Sequence, residues 1–89
     1  MSPQVEEQNV AARVMAVIAR VQRIPVESIS LNQTFEELNI DSLDGMNILF
    51  ETETEFGINI PDEQAPTIRS VQDMVFGVTR LIDQQAPPV

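Results

Sequence analysis

The sequence predicts an all-α protein: a small bundle of three main helices plus one short helix, with a long first loop. Apolar residues recur at helical spacing over about residues 5–22 and 71–84, and helix-capping residues bracket residues 42–56. The 89 residues suffice for one domain with a modest core. We expect a single domain over residues 1–89, with an ordered core over about 5–84 and a flexible tail over 85–89.

The first predicted helix covers about residues 5–22, and residues 1–4 are expected to fray. Glu6 and Glu7 in its first turn and Arg20 and Arg23 at its end complement the helix dipole, and Pro25 stops the helix. The apolar stripe that should face the core comprises Val10, Val14, Val17, Ile18 and Val21.

Residues 23–40 show no sustained period, and we expect them to form a long loop. Apolar residues are spaced through this segment, which indicates that the loop is pinned to the core. A loop of this length inside a compact domain is usually functional. The expected anchors are Val26, Ile29, Leu31, Phe35, Leu38 and Ile40.

The second main helix is predicted over about residues 42–56. Asp41 or Ser42 is expected to cap its start, and Gly57 to end it. Residues 58–61 then form a short extended connector. Residues 62–65 are expected to form one short helical turn, which Pro66 cuts off.

The last main helix opens with a capping box of Ser70 and Asp73 and runs to about residue 84. Its apolar stripe comprises Val71, Met74, Val75, Val78, Leu81 and Ile82.

The composition excludes most kinds of catalysis. The chain has no cysteine and no histidine, so it lacks thiol nucleophiles, thiolate or imidazole metal ligands and the usual acid–base group of neutral pH. A protein of this composition works by binding, or by carrying a group that it does not encode. We therefore expect a non-catalytic protein without a specific metal site.

The charge is strongly negative and unevenly distributed. Fourteen acidic residues and five arginines give a net charge of −9, and every arginine lies outside residues 24–68. Such a surface repels nucleic acid and anionic membranes and favours partners with basic docking patches. No stretch reaches the ~20 apolar residues that cross a bilayer, and the N-terminus lacks the basic segment of a signal peptide. We expect a cytoplasmic protein that neither binds nucleic acid nor inserts into membranes.

A calcium-binding EF-hand loop is one alternative for the acidic centre of the chain. Gly45 and Glu51 fall at the spacing that such a loop requires of its sixth and twelfth positions. The first ligand would then be Ile40, whose side chain has no oxygen. The pattern therefore argues against a specific calcium site, although the acidic surface can attract divalent cations loosely.

The most informative motif surrounds Ser42. A serine at a helix start is most often only a cap, so its neighbours decide the interpretation. The segment reads Leu38-Asn39-Ile40-Asp41-Ser42-Leu43-Asp44, and the predicted helix ends in an acidic run, Phe56-Gly57, an apolar connector and Pro61-Asp62. These features resemble the centre of acyl carrier proteins, whose attachment motif is Asp-Ser-Leu at the start of the second helix. The resemblance covers about residues 10–83 in one register.

This resemblance implies that Ser42 bears a covalent 4'-phosphopantetheine arm from coenzyme A, with Asp41 and Leu43 as the motif flanks. A separate phosphopantetheinyl transferase would attach the arm, whose thiol would hold acyl groups as thioesters. A helix N-terminus suits this role, because it presents an exposed hydroxyl and stabilises a phosphodiester by about 0.3–1 kcal/mol. We expect a monomer that delivers acyl groups to basic-patch acyl-transferring and synthase enzymes of fatty acid or related lipid biosynthesis.

The second helix carries more apolar surface than one core contact requires, and a helical projection divides it into two halves. By resemblance, one half points inward and lines the acyl pocket: Gly45, Ile48, Leu49, Thr52 and Phe56. The other half is expected to be partly exposed for docking. The predicted docking residues are Asp44, Met46, Asn47, Phe50, Glu51 and Glu53, beside Leu43. In the alternative interpretation, Met46 and Phe50 are ordinary core residues.

Several residues depart from the family pattern. Asn39-Ile40 stands where Gly-Ala is common, and Gly45 where threonine or another small residue is common. Asn47 replaces a glutamate that commonly serves partner recognition, and Thr52 replaces the leucine that is usual in the pocket. These departures leave the assignment as a carrier unchanged, but they leave open which pathway the carrier serves.

Two further functions therefore stay open at this point. The first is a carrier for a specialised polyketide, peptide or aminoacyl pathway, although the acidic second helix and the short chain favour the fatty acid type. The second belongs to a different class: an acidic helical interaction module that is never modified. Acceptance of phosphopantetheine by Ser42 distinguishes the carriers from the module.

Overall fold

The structure is a computed structural model that describes residues 3–85, with side chains from Val10 onward. Three α-helices form the bundle: α1 (Pro3–Gln22), α2 (Ser42–Phe56) and α3 (Val71–Gln85). Two short 3₁₀ helices, Val26–Ser28 and Asp62–Thr67, lie in the connections. The predicted all-α bundle with a long first loop is confirmed, and the 3₁₀ helix at Val26–Ser28 is an addition to it.

Helix α1 begins at Pro3, two residues before its predicted start, because a proline at the first helical position sacrifices no hydrogen bond. Of the four residues expected to fray, residues 3–4 belong to the helix, and residues 1–2 lie outside the described residues. The helix ends as Arg23 adopts a left-handed conformation with φ of 59°, and the N–H of Ile24 donates to the carbonyl of Ala19 at 3.1 Å. This is the closing hydrogen bond of a left-handed helix cap, and Pro25 follows it.

The core lies where α1 packs against both α2 and α3. Helices α1 and α3 contribute the stripes that their periodicity predicts, with Val10, Val21, Val75 and Ile82 at the partly buried margins. Thr52 is the buried polar residue in this core, and its hydroxyl donates to the carbonyl of Ile48 at 2.6 Å. The fully buried helix residues are Val14, Val17, Ile18, Ile48, Thr52, Val71, Met74 and Val78.

Backbone hydrogen bonds fix the long first loop in addition to its apolar anchors. The N–H of Phe35 donates to Arg69 at 2.9 Å, and the N–H of Val71 donates to Gln33 at 3.0 Å. These bonds tie the middle of the loop to the start of α3.

The anchor prediction for this loop is partly wrong. Ile29 is buried, but Val26 and Leu31 are 41% and 39% exposed. Val26 opens the 3₁₀ turn, which carries Ile29 into the core, and Leu31 contributes its backbone carbonyl, which accepts from the N–H of Gln72 at 3.2 Å. The other three predicted anchors, Phe35, Leu38 and Ile40, pack against the core while partly exposed.

The connection from α2 to α3 is held by side chains of both helices. Ile58 and Ile60 are buried, and the Glu53 carboxylate accepts from the N–H of Ile60 at 2.7 Å. The side-chain amide of Gln85 both donates to and accepts from the backbone of Asn59. Helix α3 extends through Gln85, one residue beyond its predicted end and into the segment expected to be a flexible tail. The rest of that segment, residues 86–89, lies outside the described residues.

Pro66 does not end the short helix, as the sequence suggested, but lies inside the 3₁₀ helix Asp62–Thr67. The N–H of Gln64 donates to the carbonyl of Pro61 at 2.9 Å, and the N–H of Ile68 donates to the carbonyl of Ala65 at 3.2 Å, so one turn closes before the proline and the next turn contains it. The fixed φ of proline matches a 3₁₀ helix, and only one hydrogen bond is lost.

Arg13 joins α1 to the end of α2. Its Nε donates to the Glu55 carboxylate at 2.8 Å, and its Nη2 donates to the Glu55 carbonyl at 2.7 Å. The guanidinium also lies 4.4 Å from the centre of the Phe56 ring. The carbonyl that Arg13 satisfies belongs to the last turn of α2, where carbonyls lack helical partners.

We predict that Arg13→Ala lowers the free energy of unfolding by about 1–2 kcal/mol, because it removes two charge-assisted hydrogen bonds and a cation–π contact that are partly exposed to solvent. Urea denaturation followed by circular dichroism measures this loss. Arg80→Ala is the control: Arg80 is exposed, makes no ion pair with the described residues, and should change stability by less than about 0.5 kcal/mol. Equal effects of the two substitutions would show that the Arg13 contacts contribute nothing.

Candidate functional site

The start of α2 leaves the Ser42 hydroxyl free. The Asp41 carboxylate accepts from the N–H of Asp44 at 2.8 Å, and the Asp41 carbonyl accepts from the N–H of Gly45 at 2.8 Å. Asp41 is therefore the N-cap, and Ser42 is the first residue of the helix. Ser42 is exposed, and its Oγ makes no hydrogen bond with the residues that the structure describes. The prediction that Asp41 or Ser42 caps the helix is thereby resolved in favour of Asp41.

A tight turn immediately before the cap sets its position. Thr34 and Glu37 form a reciprocal capping box: the N–H of Thr34 donates to the Glu37 carboxylate, and the N–H of Glu37 donates to the Thr34 hydroxyl. The turn closes when the N–H of Ile40 donates to Phe35 at 2.9 Å. Asn39 there has a φ of 59°, a conformation that glycine and asparagine adopt most readily. This explains why asparagine can stand where the family commonly has glycine.

A cleft of about 370 Å³ opens beside Ser42, between α2 and the second 3₁₀ helix. A neighbouring cleft of about 260 Å³ shares Met46, Leu49 and Ala65 with it and continues towards Glu53 and Ile60. The two clefts together form a largely apolar groove that runs from Ser42 along α2. The cleft beside Ser42 is lined by Phe35, Ile40, Asp41, Ser42, Gly45, Met46, Leu49, Ala65, Pro66 and Ile68.

The structure separates the predicted pocket residues into two groups. Gly45 and Leu49 line the cleft beside Ser42. Ile48 and Thr52 are fully buried among the core residues of the bundle, and Phe56 lies under the Arg13 guanidinium. The helical projection placed all five residues on the inward half of α2, and it could not distinguish residues in the core from residues in the cleft.

The far wall of the cleft was not among the predicted site residues. It consists of Phe35, Ile40, Ala65, Pro66 and Ile68. Phe35 and Ile40 were expected to anchor the loop, and Pro66 was expected to end the short helix. The sequence shows apolar residues both before the Ser42 motif and after α2. It does not show that these residues come together opposite α2, because that contact depends on the tertiary fold.

The predicted docking half of α2 carries three exposed apolar side chains. Leu43 is 69%, Met46 55% and Phe50 61% exposed. The alternative in which Met46 and Phe50 are core residues is therefore wrong. Asn47 is also exposed, and Asp44 is half-buried at the side of the helix.

The acidic residues of α2 have more basic neighbours than the sequence suggested. The segment 24–68 contains no arginine, but Arg13 and Arg20 of α1 reach Glu55 and Glu51, with nitrogen–oxygen distances of 2.8 and 2.9 Å. The acidic and basic residues are therefore separated along the chain, but on this side of α2 they lie next to each other.

Neither a metal cluster nor a membrane span emerges from the described residues. Among residues 10–85, whose side chains the structure describes, no three acidic side chains converge where they could hold a metal ion. Over the described backbone, residues 3–85, no helix has both the length and the apolar character needed to cross a bilayer.

Comparison with known proteins identifies the class of this fold and motif. A family model described as "Phosphopantetheine attachment site" matches residues 12–75. An acyl carrier protein of Rickettsia bellii (strain RML369-C) is 43% identical over 68 residues, which cover 75% of this chain and 79% of the relative. The mitochondrial acyl carrier protein of Dictyostelium discoideum is 37% identical over 71 residues, which cover 80% of this chain and 59% of that longer protein.

The fold is also that of a solved carrier. The crystal structure of an acyl carrier protein from Thermotoga maritima superposes with a TM-score of 0.81 at 25% identity, covering 93% of this chain and 98% of that one. The helical bundle and the matched family model define a non-catalytic carrier with a covalently attached 4'-phosphopantetheine. The chain belongs to the acyl carrier protein family. Its relatives include bacterial and mitochondrial proteins.

Proposed function

We propose that Ser42 is the attachment residue and that the protein carries acyl groups of fatty acid or related lipid biosynthesis. The observation that supports this most strongly is the free, exposed Ser42 hydroxyl at the N-terminus of α2, with Asp41 serving as the cap in its place. A serine retained only for capping would accept the N–H of the first turn itself. Here that N–H is already bonded to Asp41.

Attachment needs no base within this chain, because a transferase can supply one. The Ser42 Oγ attacks the phosphorus that bears pantetheine in coenzyme A. As the new P–O bond forms, the bond from that phosphorus to the oxygen that bridges the two phosphorus atoms breaks. Adenosine 3',5'-bisphosphate leaves with the bridging oxygen, and the hydroxyl proton passes to the transferase. The attached phosphodiester would then lie at the positive end of α2, where free backbone N–H groups favour an anion. The thiol of the bound arm supplies the thioester linkage to the acyl group.

The groove along α2 suits the acyl chain. It begins at Ser42 and its walls include Phe35, Leu49 and Ile68. An apolar chain that enters this groove leaves water, which stabilises the loaded carrier. We propose that Gly45 and Leu49 act as pocket residues, whereas Ile48, Thr52 and Phe56 support the pocket from the core.

The hydroxyl of Thr52 gives no reason to favour a polar, specialised cargo. It is fully buried and donates to Ile48 in its own helix, and Thr52 is absent from the lining of both clefts. The departure from leucine at this position therefore leaves the lining of the groove unchanged.

The proposed partners are a phosphopantetheinyl transferase and the acyl-transferring and synthase enzymes that use the loaded arm. A net charge of −9 attracts enzymes with basic surfaces over a long range. Docking through the exposed half of α2 would place these enzymes next to Ser42. We further propose that the carrier works as a monomer in the cytoplasm.

Intact-mass measurement tests this function. The native chain is incubated with coenzyme A, magnesium and a broad-specificity phosphopantetheinyl transferase. We expect a gain of one phosphopantetheine, and peptide mapping should place it on the peptide that contains Ser42. A folded protein that gains no mass with several transferases would instead be the unmodified interaction module.

A further inference from the structure

The outer side of α3 carries a cleft that the proposed carrier function does not use. Its volume is about 260 Å³, and among the described residues Ile68 alone lines both this α3 cleft and the cleft beside Ser42. We infer that the α3 cleft binds a segment of a partner protein that places an apolar side chain beside Phe76 and a carboxylate beside Arg80. Such a partner binds without covering Ser42. The lining of the α3 cleft includes Gln64, Ile68, Phe76, Gly77, Arg80 and Gln84.

Phe76 is the large apolar side chain of this cleft, and it packs poorly within the protein. It is 62% exposed, much as Phe50 is on α2. The helical period places it on the side of α3 opposite the stripe that the core buries, which comprises Val71, Met74, Val78 and Leu81. Aromatic and arginine side chains are enriched at the centres of protein interfaces, where burial of a large side chain provides much of the affinity. Phe76 therefore has the character of an interface residue.

Gly77 lines the same cleft, although the fold does not require a glycine at this position. Its φ is not positive, and an added Cβ would meet the Cδ1 atom of Ile68 at 3.8 Å, which is ordinary van der Waals contact. Glycine in the interior of a helix is nevertheless less favourable than alanine. The chain thus has a less stable helix at the position where a missing side chain leaves space beside Phe76.

Arg80 supplies an available positive charge at the cleft. It is exposed, and its guanidinium makes neither an ion pair nor a cation–π contact with the side chains of residues 10–85. Arg13 and Arg20, in contrast, are each paired with a glutamate of α2. Arg80 lies four residues after Phe76, so the two side chains are neighbours on the helix surface. A guanidinium binds a carboxylate through two parallel hydrogen bonds, which makes an acidic residue of the partner complementary to this site.

The open shape of the cleft favours a protein segment over a small molecule. Sites for small molecules enclose most of the ligand, whereas Phe76 and Arg80 both remain exposed here. Gln64 makes its hydrogen bonds through its backbone, so its side-chain amide can donate to and accept from the backbone of a bound peptide. The net charge of −9 disfavours nucleic acid and anionic membranes as occupants.

Gly77→Ala tests whether the glycine serves the fold. We expect the melting temperature to rise by about 2–8 °C, because alanine is favoured in a helix interior and its Cβ has room beside Ile68. Thermal unfolding followed by circular dichroism measures this change. A lower melting temperature would show that the glycine is needed for packing, and it would overturn the inference.

The binding test uses a displayed library of random short peptides. The library is selected in parallel on the native chain and on Gly77→Leu, whose side chain fills the cleft while favouring the helix. We expect to recover sequences that bind the native chain but not Gly77→Leu and that combine an apolar residue with an aspartate or glutamate. The Kd of a synthesised peptide should rise by about tenfold or more in Phe76→Ala and by about fivefold or more in Arg80→Gln.

Phe50→Ala and Arg23→Gln are the matched controls. Phe50 is a phenylalanine of nearly equal exposure on α2, and Arg23→Gln removes the same charge as Arg80→Gln from an exposed arginine outside the cleft. Both should leave the Kd unchanged within about twofold. Saturating peptide should also leave phosphopantetheine transfer to Ser42 unchanged within about twofold, because the partner segment does not cover the start of α2.

Three results of these experiments would overturn the inference. They are the recovery of no peptide that depends on Gly77, the recovery of such peptides without an acidic residue, and a peptide that blocks transfer to Ser42. Self-association of the native chain that Gly77→Leu abolishes, measured by sedimentation, would also overturn it, because the occupant would then be a second copy of this chain. A native chain that accepts no phosphopantetheine would reject the proposed function alone, since the peptide selection does not involve the arm.

Discussion

Ser42→Ala is expected to abolish phosphopantetheine attachment completely and to leave the helical bundle intact. The variant lacks the nucleophilic oxygen, and no other group at the start of α2 can replace it. Ser42 is exposed and its hydroxyl makes no hydrogen bond with the described residues, so the free energy of unfolding should change by less than about 0.5 kcal/mol. Intact mass and thermal unfolding of the same sample measure both properties.

Ser70→Ala is the matched control for this substitution. The Ser70 hydroxyl accepts the N–H of Asp73 at 3.0 Å and thereby caps α3. Its loss should destabilise the protein by about 1 kcal/mol and lower the melting temperature by roughly 4–8 °C, while attachment continues. The two serines should therefore have opposite effects. A Ser42→Ala protein that unfolds would show a structural role for the serine, and one that still gains mass would place the attachment elsewhere.

The ends of α2 could be predicted from sequence because local chemistry determines them. Asp41 has a carboxylate that can reach the N–H three residues later, and the structure contains that bond at 2.8 Å. Gly57 can adopt the left-handed conformation that closes a helix, and its φ is 64°. Both signals operate within four residues of the helix end. The attachment motif could be read for the same reason, as it is a contiguous segment.

The contacts between helices could not be predicted in this way. Arg20 pairs with Glu51 across 31 positions of the chain, and Arg13 with Glu55 across 42. A helical projection assigns a residue to one side of its own helix but does not identify the residue that faces it. The acidic segment therefore looked unpaired in the sequence, although α1 supplies it with two arginines.

The same limitation explains the mixture of core and cleft residues in the predicted pocket. Ile48 and Leu49 are adjacent and both belong to the inward half of α2. Ile48 is fully buried in the core, whereas Leu49 faces the second 3₁₀ helix across the groove and is partly buried. The difference depends on what lies opposite each side chain, which the period of the helix does not encode. Substituting these two neighbours separates stability from cargo binding.

Ile48→Ala is expected to destabilise the protein by about 2–5 kcal/mol, the range for removing a large aliphatic side chain from a packed core. Small domains are stable by only about 5–15 kcal/mol, so the melting temperature should fall by more than about 10 °C. Leu49→Ala should cost less, because Leu49 is partly exposed at the cleft. Thermal unfolding of the unloaded proteins measures both values.

The acylated proteins provide the functional half of this comparison. An acyl chain that occupies the groove binds the folded state and therefore raises the melting temperature above that of the unacylated carrier. Leu49→Ala removes a wall of the groove and should reduce this increase, whereas Ile48→Ala should retain it, although its absolute melting temperature is lower. If Ile48→Ala abolished the increase and Leu49→Ala left it unchanged, the acyl chain would lie among the helices and not in the groove beside Ser42. The pair of adjacent residues thus decides which side of α2 holds the cargo.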